Sequence, residues 1–181
     1  MRRLLPLLLL AAAPAQPGES ADAARAAAGR FATLAVADTD DTGTLRWAAW
    51  GEGRGEGQSA HLALYRVNGT AATPLWAKAW PDGYLPRLNA DTRWTWHGRP
   101  VAGAVVRFGA GAVTLTLYGL QPDDQPVALA TRDAVSAEWR TAADGQAVLL
   151  LATEDARGGL LTRCLGWNAT AATLITTRCP I

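Results

Sequence analysis

Asn68-Gly-Thr-Ala-Ala-Thr73 returns near the C-terminal end, one residue changed, as Asn168-Ala-Thr-Ala-Ala-Thr173. The same offset aligns Leu64 with Cys164, Val67 with Trp167, Leu75 with Ile175 and Lys78 with Arg178. Asn and Gly supply turn geometry, while the flanking Leu, Tyr, Val and Trp suit a pleated strand, so each hexamer reads as the tip of a β-hairpin. In mid-chain, Leu62, Leu64, Tyr65 and Val67 match Leu115, Leu117, Tyr118 and Leu120. The chain therefore reads as copies of one hairpin.

Working outward from these hairpins, short runs rich in Val, Leu, Thr, Trp and Tyr alternate with Gly, Asp, Asn and Pro clusters at roughly ten-residue intervals, which is the pattern of an all-β protein. The predicted strands fall into three groups of four. The first holds Phe31 to Ala37, Leu45 to Gly51, Ala60 to Val67 and Thr73 to Trp80. The second holds Arg93 to Trp96, Val101 to Phe108, Ala112 to Gly119 and Val127 to Thr131. The third holds Ala137 to Arg140, Ala147 to Glu154, Leu160 to Trp167 and Thr173 to Arg178. The matched strands are apolar on both faces, so the sheets are expected to stack on one another. An antiparallel meander of about three four-stranded units, stacked in this way, resembles the blades of a β-propeller. Three units are too few to close a ring, so the alternatives are a partial propeller, two chains sharing one ring, or a β-sandwich or barrel.

The first fifteen residues have the layout of a secretory signal peptide: basic Arg2 and Arg3, an apolar stretch from Leu4 to Ala13, and small residues ending at Ala15. That stretch is well short of the roughly twenty residues a spanning helix needs, and no later run is longer. Residues 16–29 read as a short arm or helix, with residues 30–181 as a single all-β domain. Removing Arg2 and Arg3 takes the basic count from 17 to 15 against 16 acids, a formal charge of −1, which provides no field to collect nucleic acid or anionic lipid. Cys164 and Cys179 lie symmetrically about the tip at Ala171 and Ala172, so a regular hairpin would face them for a disulfide in an oxidising compartment. These features point to a periplasmic or secreted protein, and the single Lys78 against sixteen arginines, with abundant alanine and glycine, suggests a bacterial source.

Few segments carry chemistry. Asp38-Thr-Asp-Asp-Thr-Gly43 resembles the first half of a calcium loop, making Asp38 and Asp40 weak metal candidates. Arg46 and Ala49 stand where later ligands are needed, so a polar turn explains the run equally well, and no cofactor is expected. The Gly51 to Gly57 run carries two glutamates and precedes no helix signal, so it reads as a loop and not a phosphate cradle. The long connection from Trp80 to Arg99 mixes aromatic and polar groups: Trp80, Tyr84, Arg87, Trp94, Trp96 and His97 are the candidate ligand-binding residues. Flat rings stack on sugar or apolar faces while guanidinium and imidazole groups orient the ligand; the competing reading packs Trp94 and Trp96 into the core.

Catalysis has less support. None of Ser20, Ser59 and Ser136 sits in a glycine-flanked nucleophile elbow, and although Ser59 and His61 share a strand face, no third group can be named. The reading is an exported binding or envelope-associated interaction module with a glycan or protein ligand. The alternatives are a secreted polysaccharide hydrolase using Asp82, Asp91 and His97, or a structural protein that self-associates as a homodimer through strand edges.

Overall fold

The computed structural model describes residues 35–38, 44–53, 57–89 and 93–180. The expected leader, the arm over 16–29, Asp40 and Asp91 lie outside them. Every regular element among the described residues is a β-strand, and the strands form four antiparallel sheets.

Sheet 1 is a meander of β1 (Ala35–Asp38), β2 (Leu45–Glu52), β3 (Ser59–Asn68) and β4 (Ala71–Pro81). Sheet 2 joins β5 (Gly83–Asn89), β8 (Ala102–Phe108), β9 (Ala112–Leu120) and β10 (Pro126–Ala134), with the two-stranded ribbon β6 (Thr95–Trp96) and β7 (Arg99–Pro100) inserted after β5. Sheet 3 is the meander β11 (Ser136–Thr141), β12 (Ala147–Glu154), β13 (Leu160–Asn168) and β14 (Thr173–Thr176). Among the described residues there are thus three sheets of four strands, and no strand pairing there closes them into a barrel.

One expected strand moves. The sequence places Arg93 to Trp96 as the first strand of the second group, but β5 takes that place and only Thr95 and Trp96 of the expected strand are extended, in the small ribbon. Pro86 hides β5 in the sequence; proline is tolerated there because β5 is an edge strand. Its pairing with β8 is broken by a bulge between Tyr84 and Arg87, where Leu85 takes φ 45°.

The alternation of side chains explains why the strands are oily on both faces. In β3, Leu62 and Leu64 bury toward sheet 2 with Trp47, Ala102, Ala104, Tyr118 and Leu120, while Ala63, Tyr65 and Val67 bury on the other face with Ala48 and Trp50. In β9, Leu115 and Leu117 bury toward sheet 3 against Ala137, Leu149, Leu151 and Leu165, while Tyr118 and Leu120 turn back to sheet 1. Each fully buried Leu or Val among them contributes about 1.5–3 kcal/mol.

Aromatic rings seal both joints. Between sheets 1 and 2, the ring centroids of Trp47, Trp76 and Tyr118 lie 5.4–5.8 Å apart. Between sheets 2 and 3, Trp94 meets Trp139 edge-on at 4.7 Å and stacks on Trp167 at 5.8 Å. Two glycines let rings lie directly on the backbone of sheet 2. A Cβ on Gly103 would fall 2.5 Å from Cζ2 of Trp139, and one on Gly119 would fall 2.4 Å from Cε3 of Trp96.

Cys164 and Cys179 form a disulfide with a Cα separation of 5.1 Å. The hairpin is regular, but it is centred on Thr170 and Ala171 and not, as expected, on Ala171 and Ala172, so Cys179 does not lie opposite Cys164 within it. The tip is four residues wide, pairing Asn168 with Thr173, and the Thr177 N–H donates to the Cys164 carbonyl at 2.8 Å. Cys179 therefore lies past the end of β14 and is brought back to Cys164 by the tail.

Candidate functional site

β5 and β11 are the first strands of sheets 2 and 3, and both are edge strands. Pairing sets which side chains of β5 face sheet 3. Arg87 is opposite Val105 and Asn89 opposite Gly103, and Val105 and Gly103 both lie on the face that meets sheet 3. Leu88, opposite Ala104, turns to sheet 1. On β11, Ala137 and Trp139 pack toward sheet 2 and Glu138 stands on the outer rim. Between them is an open groove of about 300 Å³ with Val105, Ala137 and Trp139 as an apolar floor and Arg87, Asn89 and Glu138 on its margins.

The charges at this groove are unequal. The Glu138 carboxylate is engaged by Arg140 at 2.8 Å. No hydrogen bond or ion pair joins the Arg87 or Asn89 side chain to another described residue. The Nε1 of Trp139 is buried without a hydrogen-bond partner. An unpaired buried donor costs about 1–3 kcal/mol.

Of the six residues singled out in the Trp80 to Arg99 segment, only Arg87 lines this groove. Trp94 is buried in the joint between sheets 2 and 3, where its Nε1–H donates to the Ala147 carbonyl at 3.2 Å, and Trp96 packs against the same core. The Trp167 Nε1–H donates to the Thr95 carbonyl at 2.8 Å, so this short segment is stitched into sheet 3 from both sides. His97 occupies the turn between β6 and β7 at φ 51°, 4.1 Å from the Trp96 ring. Trp80 packs against the core between sheets 1 and 2, with the Lys78 ammonium 5.0 Å over its ring. The Tyr84 hydroxyl donates to the Gly109 carbonyl, tying β5 to the β8–β9 turn.

A second constellation lies on the outer face of sheet 1. Pairing of β2 with β3 sets Trp50 opposite His61 and Glu52 opposite Ser59. Ser59 Oγ is 2.7 Å from His61 Nε2, Glu52 Oε2 is 3.5 Å from the same nitrogen, and the Trp50 Nε1–H donates to Glu52 Oε1 at 2.8 Å. Glu52 is the third group that sequence reasoning missed. The β2–β3 register would have found it, but the glycine-rich loop between these strands gives no single symmetric centre. In a relay, serine and acid meet opposite nitrogens of the imidazole. Here both meet Nε2, so Glu52 cannot orient His61 toward Ser59.

The comparisons decide nothing further: no family model, curated protein or solved structure matches the chain. No group of three or more metal-ligating side chains occurs among the described residues. The Asp38 backbone ends β1, and its side chain lies outside the described residues. Asp82 is a turn residue at φ 60° whose N–H donates to the Gln58 carbonyl at 3.0 Å. Among the described residues no helix is long and apolar enough to cross a membrane.

Proposed function

We propose that this chain is an exported binding module, its three meanders stacked like propeller blades, which holds a glycan in the groove between β5 and β11. The observation that carries this reading is the pairing of an apolar floor with side chains that have no partner among the described residues. Arg87 and Asn89 stand over Val105, Ala137 and Trp139 in about 300 Å³, the lower end of small-ligand sites. Saccharide rings use such a surface well, because one face is apolar and the edges are polar. Export to the periplasm or beyond is supported by the leader-like residues 1–15 and by the Cys164–Cys179 disulfide, a bond of oxidising compartments.

An immobilised panel of neutral and acidic oligosaccharides tests the reading. The expected result is retention of at least one member, lost in Asn89→Ala at an unchanged melting temperature. A protein that retains none, or whose retention ignores the substitution, contradicts it.

A further inference from the structure

The groove has one net charge to offer, and this identifies the class of saccharide; the inference rests on the binding reading above. Among the groove's charged side chains, Glu138 is neutralised by Arg140 at 2.8 Å and Arg87 has no partner among the described residues. Beside Arg87 on the same face of β5 stands Asn89, with an amide free to donate. The donors therefore outnumber the available acceptors at this end of the groove. A neutral sugar would offer the exposed guanidinium hydrogen-bond acceptors but no counter-charge. A carboxylate satisfies it, since the planar guanidinium fork and the two carboxylate oxygens match in geometry. A single guanidinium balances one carboxylate, whereas a phosphate monoester brings close to two negative charges.

We propose that the groove recognises a uronic acid unit of a glycan, its carboxylate on Arg87, its edge on Asn89 and its apolar face on Val105 and Trp139. Glu138, also on the groove's margin, is already engaged by Arg140 at 2.8 Å and offers the ligand no net negative charge. A groove of about 300 Å³ holds one such ring, so the neighbouring units of the polymer extend along the two edge strands.

The test is a titration of the ¹⁵N-labelled full chain, disulfide intact, with tri-galacturonate, with the neutral trisaccharide of galactose, and with an N-acetylated dipeptide bearing a free C-terminal carboxylate. The Trp139 indole resonance, assigned through Trp139→Phe, reports occupancy. Tri-galacturonate is expected to move that resonance and to bind about tenfold more tightly than the neutral trisaccharide. Arg87→Gln is expected to remove the difference while leaving the circular-dichroism spectrum unchanged, because its exposed side chain holds no other group. Equal binding of the two trisaccharides, or indifference to Arg87→Gln, overturns the carboxylate assignment and leaves the groove standing as a neutral glycan site. A response to the dipeptide alone overturns the saccharide in favour of a peptide terminus. A Trp139 resonance that no probe moves overturns this proposal and the binding site together.

Discussion

The hairpins β3–β4 and β13–β14 turn on hexamers that differ in one residue, yet one tip is two residues wide and the other four. In the first, Asn68 pairs with Ala71 and Gly69 takes φ 58°, the first central position of a tight turn in which glycine is favoured. In the second, Ala169 stands in place of glycine, the loop widens so that Asn168 pairs with Thr173, and Ala172 takes the left-handed conformation at φ 48°. The Asn168 side chain then accepts a hydrogen bond from the Ala171 N–H at 3.0 Å. The tight turn launches β4, eleven residues long; the wide one launches β14, four residues long, whose tail is held by a disulfide. The two hairpins thus part at the tip, where glycine in one hexamer faces alanine in the other, and only the wide one carries the disulfide.

The largest effect is expected from removing that staple. Cys164→Ala with Cys179→Ala opens a loop of sequence separation 15, worth about 3 kcal/mol in a loop-closure estimate, and urea unfolding should register the loss. Gly69→Ala comes next. Open space surrounds its Cβ position, so the cost is the backbone conformation alone, about 1–2 kcal/mol, read in the same assay.

A third change tests what braces the first hairpin from outside. Asp124, in the β9–β10 turn, accepts from Arg66 of β3 at 2.6 Å and from Arg99 at 2.7 Å, tying sheet 1 to sheet 2. Asp124→Asn should cost about 1 kcal/mol. Burial by itself raises the Asp124 carboxyl, but hydrogen bonds from Arg99 and then Arg66, with their charges, outweigh it and hold it below the usual carboxylate range. The folded form is therefore favoured above the unfolded pKa of about 4, and this contribution fades as pH falls through the lower folded value. An acid titration of stability should show a shallower loss in the variant. The smallest effect runs the other way: Ala172→Gly relieves a left-handed alanine and should stabilise by up to about 1 kcal/mol, raising the urea midpoint.

Much of the fold was legible because burial on two faces writes itself into both parities of a strand. Leu62 and Leu64 mark one joint while Tyr65 and Val67 mark the opposite face, and the same spacing at Leu115 to Leu120 places β9 in sheet 2. What stayed hidden was set by pairing and not by composition. β5 carries Pro86 and a bulge, so its pattern does not alternate, and the groove depends on which of its residues lie opposite Val105 and Gly103. Trp139 gave no sign of its position because Gly103, the residue that makes room for it, is far away in the sequence. For Trp94 and Trp96 the sequence leaves two readings, a ligand platform or core packing, and the structure draws both into a joint whose other half comes from sheet 3.

The groove between the two edge strands is the proposed place where ligand is held. The most direct measurement is an amide and indole chemical-shift map recorded with a saccharide retained by the panel. Shifts centred on residues 87–89 and 137–139 are predicted. A map centred on Trp50, Ser59 and His61, with the groove silent, would contradict it.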